Sequence, residues 1–376
     1  MSSPLWSAFT LSALRQLFKP QNYSAGKRLQ ERADLMKLFL LTGAREAWPE
    51  PPVVKDVDSL PPLKEQRTTV ESRVRLQALT LLESWHKERP PPLPPESPRA
   101  PIDAATRAAL EAERAAEAAA AQRRAFGFEL SVAPSSAGAE AGDGVRLDGR
   151  ALPGSVVAFY PGVTYEVHDV IALPGGTNAF AGNEYLMARH DRAIVDGSKS
   201  ALELLPAEAL FNPLSVAHRV NHPPRGALPN VIPAPVGWDK TIPAHLLELL
   251  PNVSYERSSQ KQRALLLGKR AAGGAGGRHD APELLTEGDG SSGLEPTRQQ
   301  TRRRWDIADV FRASIADGIR PAEDDEVGPI LKGLLLVATR EIKDEELFLN
   351  YRLNPKTRRP EWYAPVDEEE DLRRWK

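Results

Sequence analysis

From residue 126 onward the chain consists of short apolar runs separated by glycine and proline, and this pattern restricts the fold most. Residues 154–160, 183–188 and 193–196 each have the length and composition of a brief strand between two turns. Residues 334–338, Leu-Leu-Leu-Val-Ala, suit a buried strand. A doubly wound nucleotide-binding fold would place a helix between successive strands, and this part of the sequence lacks that alternation. The pattern therefore predicts a β-rich domain made of small sheets.

The preceding 125 residues predict a helical, proline-rich extension. Over residues 64–88, apolar side chains recur every three or four positions along one face: Val70, Val74, Ala78, Leu81 and Trp85. The Arg-Pro pair at residues 89–90 must end that helix, because a residue before proline disfavours helical geometry. Asp103 predicts the N-cap of another helix, which is rich in alanine, glutamate and arginine, ends near residue 124 and should be largely exposed.

The first forty residues contain no acidic side chain before Glu31 but several basic ones, including Arg15, Lys19 and Lys27. This composition is typical of a mitochondrial or plastid presequence. The apolar pattern continues through residues 35–41, which equally fits an amphipathic helix packed on the body of the protein. Residues 1–40 are thus a candidate targeting segment for an organelle, with the nucleus or cytoplasm as the alternative location.

Composition excludes several classes of site and partner. The chain has no cysteine, which removes disulfides, thiolate zinc clusters and cysteine nucleophiles. The formal net charge of −2 gives no general attraction to nucleic acid or anionic membranes, so we expect no direct nucleic-acid binding. No apolar run approaches the roughly 18–20 residues of a membrane span, and His190, His218 and His222 lack metal-ligand spacing. We expect a soluble protein without a membrane partner or a metal site.

Four segments with distinctive residues follow one another in a set order. Residues 142–144 read Gly-Asp-Gly, and residues 156–165 read Val-Val-Ala-Phe-Tyr-Pro-Gly-Val-Thr-Tyr. Residues 215–231 contain Asn-His followed by Pro-Asn, and residues 341–351 contain Glu-Glu-Leu followed by a terminal tyrosine. In this order the segments resemble the cofactor and active-site motifs of SET-domain methyltransferases. The motif Tyr-Pro-Gly-Val-Thr-Tyr is similar to that of the family branch called SET domain-containing protein nine, and so is Leu-Pro-Asn-Val-Ser-Tyr at residues 250–255.

The resemblance implies a fold and a domain organisation. It covers residues 126–355 and implies an α+β protein with a β-rich SET fold of small curved sheets, in which a C-terminal segment forms a pseudoknot-like arrangement. Residues 356–376 would then form a C-terminal tail. Inside the domain, residues from about 258 to 300 contain runs of glycine, alanine and serine, which predict a disordered insertion.

The resemblance also implies a site for S-adenosylmethionine. Gly142 and Gly144 would let the backbone approach this cofactor closely, and Asn221 and His222 would hold its methionine amine and its adenine. Trp362 in the tail would cover the adenine face. Without the resemblance, the glycines fit a plain β-turn, the Asn-His pair fits a buried polar turn, and Trp362 fits surface docking of an aromatic tail.

The implied activity is S-adenosylmethionine-dependent N-methylation of a lysine side chain on a protein substrate. Tyr351 corresponds to the family's active-site tyrosine, whose phenol orients the target amine, and Tyr185 is a second catalytic candidate by its position beside the lysine channel. Core packing at a strand end is the alternative for each tyrosine.

The loop between Asn-His and Pro-Asn departs from the family pattern. The usual Ser-Cys-x is replaced by residues 223–228, Pro-Pro-Arg-Gly-Ala-Leu, which is three residues longer. The longer loop could prevent the C-terminal segment from passing it in the pseudoknot-like arrangement that the resemblance implies. A second hypothesis therefore stays open, a SET fold that has lost catalysis and acts as a scaffold or assembly protein, for instance in an organellar complex.

Overall fold

A computed structural model describes residues 26–50, 59–91, 103–173, 179–180, 182–255, 331–356 and 358–375. The expectations for residues 1–25 and for the insertion at about 258–300 lie outside these residues.

In the described ranges, three long helices precede the sheets, short helices connect the strands, and a last short helix follows β10. The long helices are α1 (Gly26–Glu46), α2 (Leu63–Glu88) and α3 (Ala104–Phe126). The short ones are α4 (Val167–Ala172), α5 (Lys199–Leu202), α6 (Ala207–Phe211), α7 (Ala244–Leu247) and α8 (Glu368–Arg374). Within the described ranges, no helix combines the length and apolar character needed to cross a bilayer.

Short strands form small sheets, as the pattern of apolar runs predicts. They are β1 (Phe128–Pro134), β2 (Asp143–Ala151), β3 (Val156–Tyr160), β4 (Gly162–Tyr165), β5 (Leu186–Ala188), β6 (Ile194–Asp196), β7 (Val231–Trp238), β8 (Asn252–Ser254), β9 (Leu331–Ala338) and β10 (Ile342–Glu346). The sheet orders are β1-β2-β10, β3-β9-β7 and β5-β6-β4-β8. Their strands pair antiparallel, except that β4 and β8 run parallel. The expected α+β class, with small sheets, is confirmed.

The long helices begin and end where local sequence signals place them. The Asp103 side chain accepts a hydrogen bond from the Thr106 amide, and Gly127 ends α3 in the left-handed conformation at φ 77°. Helix α2 ends at Glu88, before the Arg-Pro pair. It buries Leu82 completely, whereas the predicted core residue Leu81 is only partly buried, on the flank of the apolar face.

Helix α1 packs on the body of the protein. Met36, Leu38 and Leu41 are buried, and α1 contacts α2 over much of its length. Residues 26–40 of the candidate targeting segment are therefore part of a packed amphipathic helix, which was the alternative interpretation of their sequence.

The sheet β3-β9-β7 forms the centre of the core. Residues 333–338 of β9 are all buried, and α2 packs against both outer strands, β3 and β7. Strands β8 and β9 both attach to β4, because Thr164 pairs with Ser254 and its hydroxyl donates to the Lys332 carbonyl at 2.7 Å. Residues 256–330 therefore leave and rejoin the described structure at the same strand.

The turn at Gly154, just before β3, lies directly against α1. Its φ is 80°, and a Cβ built there would lie 2.0 Å from the Leu41 carbonyl oxygen of α1. The Gly154 amide donates to the Ala338 carbonyl at 2.8 Å, and its carbonyl accepts from the Gln77 side chain at 3.1 Å. Two helices and a strand thus meet at a turn that has no room for a side chain.

We expect Gly154→Ala to lower the free energy of unfolding by about 3 kcal/mol, since left-handed strain and a collision with the α1 backbone add together. Gly127→Ala is the matched control, because Gly127 has nearly the same φ and a Cβ there meets no described atom within 4 Å. It should cost about 1 kcal/mol. Urea unfolding of both variants measures the difference, and equal losses would contradict the close packing of α1.

Candidate functional site

The Asn-His turn and the segment after β10 are joined by hydrogen bonds at two points. The Leu349 amide donates to the Asn221 carbonyl at 2.8 Å. At the other end of the loop, the Asn230 side chain donates to the Glu346 carbonyl at 2.8 Å and accepts from the Phe348 amide at 2.7 Å. Residues 346–349 therefore lie between the two ends of the loop formed by residues 221–231.

The additional length of this loop is accommodated by a turn. The Ala227 amide donates to the Pro224 carbonyl at 3.0 Å, and Gly226 takes a φ of 85°. Leu228 is 68% exposed. The longer loop turns toward solvent, and its two ends keep their pairing with residues 346–349.

The Gly-Asp-Gly segment lies against the Asn-His turn. The Asn221 side-chain amide donates to the Asp143 carbonyl at 2.9 Å. A Cβ on Gly144 would lie 2.0 Å from a Glu346 carboxylate oxygen and 3.2 Å from the Asn221 side-chain nitrogen. Gly142 has a φ of 68°, and a Cβ there would meet no described atom within 4 Å. Gly144 thus makes room for Glu346, and Gly142 borders open space.

Glu346 is the second glutamate of the Glu-Glu-Leu segment, and no role in the site was expected for it from the sequence. Its carboxylate accepts hydrogen bonds from the Ser135 hydroxyl at 2.6 Å and from the Ser136 amide and hydroxyl at 2.7 and 2.6 Å. These contacts hold the turn between β1 and β2 beside the Gly-Asp-Gly segment. The adjacent serines at residues 135–136 are the only local signal, and they are separated from Glu346 by more than two hundred residues.

The His222 ring is enclosed by the C-terminal segment. It is 3% exposed and stacks on the Tyr363 ring, with centroids 4.4 Å apart. Its Nδ1 accepts from the Tyr351 amide at 3.3 Å, so Nε2 carries the proton and donates to the Ala364 carbonyl at 2.7 Å. Burial lowers the pKa of His222, although hydrogen bonds to Ala364 and Leu349 oppose that shift. The ring is therefore neutral and structural.

Tyr351 lies beside the Asn-His turn, as the resemblance implies. Its hydroxyl donates to the Val220 carbonyl at 2.9 Å. The Trp362 ring stands edge-on to Tyr351, with centroids 6.4 Å apart, and its centroid is 6.4 Å from that of His222. Trp362 is thus at the site, but Tyr363 is the aromatic residue that stacks on His222.

Tyr160 and Tyr185 lie in one region, around Gly197: a Cβ built on Gly197 would lie 3.1 Å from the Tyr160 ring, and the Gly197 amide donates to the Tyr185 carbonyl at 2.8 Å. Burial raises the pKa of Tyr160 well above its ordinary value, and the charges of Tyr351, Asp196 and Tyr185 raise it further. Tyr160 is buried, whereas Tyr185 is 45% exposed and its ring centroid lies 6.3 Å from that of His218. The region therefore has a buried phenol inside and an accessible one at its edge.

No family model, curated protein or solved structure matches the chain. Across the ranges that the structure describes, no group of three acidic or histidine side chains could hold a metal ion. The function is accordingly inferred from the motifs and from the geometry described above.

The free energy of unfolding depends on pH through His218. Burial, and then the charge of Arg219, lowers the pKa of His218 to about 4, below the roughly 6.5 of an unfolded histidine. The stability from neutral His218 is therefore full above pH 6.5 and is lost as the pH falls from 6.5 toward 4, by about 2 kcal/mol between pH 7 and pH 5.

We expect His218→Asn to lose about 2 kcal/mol less unfolding free energy than the wild type between pH 7 and pH 5, because its side chain does not titrate there. Urea unfolding at both pH values measures this difference. Tyr185→Phe, which alters the neighbouring ring but removes no imidazole, should keep the wild-type loss. An unchanged pH dependence in His218→Asn would contradict the burial of this ring.

Proposed function

We propose that the protein is an S-adenosylmethionine-dependent protein-lysine N-methyltransferase of the SET class. One observation carries this proposal: three segments that follow one another along the sequence come together at one place in the structure. They are the Gly-Asp-Gly, Asn-His and Glu-Glu-Leu segments. Residues 346–349 lie between the two ends of the Asn-His loop, which supports a pseudoknot-like arrangement of the kind that the resemblance implies.

The fit to S-adenosylmethionine rests on the groups around Gly142. Gly142 leaves open space beside the backbone, and the Asn221 side chain uses one N–H on Asp143, so its remaining N–H and its oxygen can meet a polar ligand. Gly144 does not offer such space, because Glu346 fills it. We assign cofactor contacts to Gly142, to the Asn221 side chain and to the backbone at His222, whose ring instead fixes the C-terminal segment.

The tyrosines supply the surroundings for a target amine. The bound cofactor would provide an electrophilic methyl group. The raised pKa of Tyr160 keeps its phenol protonated at neutral pH, and the Tyr351 hydroxyl donates to the Val220 carbonyl, so both orient an amine by hydrogen bonds and do not act as bases. Tyr185, at the exposed edge, suits contact with the aliphatic part of an entering lysine side chain. A lysine on a protein substrate is the target class that this arrangement favours.

A scaffold without catalysis is the second candidate, and one observation favours it. Two groups that a catalyst would present already have partners within the protein: the Tyr351 hydroxyl donates to Val220, and the Glu346 carboxylate accepts from Ser135 and Ser136. A site whose polar groups are paired internally is stable without a ligand.

Calorimetric titration with S-adenosylmethionine distinguishes the two candidates. We expect the wild type to bind, and Asn221→Ala to lose about 1–3 kcal/mol of binding free energy because a polar contact disappears. Tyr351→Phe should keep most of the cofactor affinity and lose methyl transfer to protein lysines, since its hydroxyl orients the amine.

Tyr255→Phe is the matched control, because Tyr255 stacks on Tyr165 in a separate apolar cluster. It should change neither binding nor turnover. Wild-type protein that shows no heat of binding at millimolar S-adenosylmethionine would favour the scaffold.

A further inference from the structure

The segment after the site folds back over it and forms the C-terminal cap, defined as residues 359–375. Tyr363 of the cap stacks on His222, and its hydroxyl donates to Asp371 at 2.9 Å. The Leu353 amide donates to the Tyr363 hydroxyl at 3.1 Å. Arg359 donates to Asp371 at 2.8 Å, also within the cap. The aromatic contact over the site is therefore tied to the short helix α8.

A single guanidinium connects this cap to the N-terminal helix. Arg352 directly follows Tyr351 and donates to both carboxylate oxygens of Asp34 on α1, at 2.7 and 2.9 Å. Its Nε lies 3.0 Å from Glu370 of α8. The Trp375 indole donates to the Arg352 carbonyl at 2.9 Å. Arg352 thus joins helix α1 and the C-terminal cap to the residue that directly precedes it, Tyr351.

The charges at this junction are mostly shielded from water. The side chains of Arg352 and Asp34 are 17% and 22% exposed. Burial opposes the charge on Asp34, but the Arg352 guanidinium, together with the charge of Arg374 and a hydrogen bond from Gln30, outweighs it and lowers the pKa of that carboxyl. A bidentate pair in such surroundings is stronger and more directional than an exposed one. Arg352 also has a φ of 49°, a strained conformation for a residue with a side chain.

Helix α1 also touches α8 through its backbone. A Cβ built on Gly26 would lie 1.7 Å from the Arg373 carbonyl oxygen. The first turn of α1 therefore packs directly on the last turn of α8. This contact is independent of the Asp34–Arg352 pair and gives a second way to disturb the junction.

We propose that α1 is a working part of the site and that Asp34 is a positioning residue, which holds the C-terminal cap over His222 and Tyr351 through Arg352. The inference rests on the proposed function for what the cap closes over. Without the Asp34 carboxylate, Arg352 has lost the partner that binds both of its terminal nitrogens, and the cap separates from the site more readily. Bound cofactor then escapes more easily, while the residues that orient the amine stay in place.

Hydrogen exchange of the full chain tests this directly. In Asp34→Asn, amides of residues 359–375 should exchange at least tenfold faster, with β9 unchanged. The KM for S-adenosylmethionine should rise about tenfold at nearly constant kcat. Glu46→Gln is the matched control, because Glu46 lies on the same helix and pairs with Arg73 at 2.8 Å, away from the cap. It should alter none of these quantities.

Gly26→Ala provides the independent variant, since it pushes α8 away without removing a charge. It should also accelerate exchange in residues 359–375 alone. Asp34→Glu, which keeps the carboxylate, should restore most of the protection. Unchanged exchange of the cap in both Asp34→Asn and Gly26→Ala would overturn the proposal, as would equal acceleration in β9. Faster exchange of the cap in a protein that binds no S-adenosylmethionine would retain the positioning role and reject the proposed function.

Discussion

The buried amide of Asn230 is the interaction on which the site depends. Asn230 is fully buried, and its side chain bonds the Glu346 carbonyl and the Phe348 amide. Its main chain donates to the Phe348 carbonyl and accepts from the Thr339 amide. Asn230 therefore supplies three hydrogen bonds to residues 346–348, as a paired strand would, and Asn221 adds the bond to Leu349. An unpaired amide at this depth would be costly, so the loop and the segment inside it form together.

The position of each functional side chain follows from that pairing. With residues 346–349 held, the Glu346 carboxylate reaches the serines of the β1–β2 turn and lies beside Gly144. Three residues later the Leu349 amide donates to the Asn221 carbonyl, and the Tyr351 hydroxyl then donates to the carbonyl of Val220. The positions of these side chains thus depend on the order of the strands and on the Asn230 side chain more than on the functional residues themselves.

Local sequence signals predicted the elements of this fold but not the contacts between its ends. The Asp103 cap, the end of α2 before Arg-Pro and the buried run in β9 all depend on a few neighbouring residues, so they can be read from the chain. The Asp34–Arg352 pair joins residues 318 positions apart. No periodic pattern encodes such a pairing, because each partner alone looks like an ordinary surface charge.

The order of motifs predicted which segments meet, and the chemistry of single residues did not predict how they meet. Gly144 was expected beside a cofactor, and its space is filled by Glu346. The sequence predicted the apolar face of α2 but not its partner, and Val74, Ala78 and Trp85 on that face belong to the same apolar core as the sheets. Composition describes a segment by itself, whereas burial depends on what packs against it.

The shared attachment of β8 and β9 to β4 has a consequence for protein engineering. Because residues 254 and 332 are both fixed to Thr164, the chain between them closes a loop whose end points do not depend on its length. Loop-closure entropy grows only with the logarithm of length, by about 0.6 kcal/mol for each doubling. A reporter domain whose own termini lie close together can therefore join Tyr255 to Leu331 without moving β8 or β9, and it leaves the α1–α8 junction untouched.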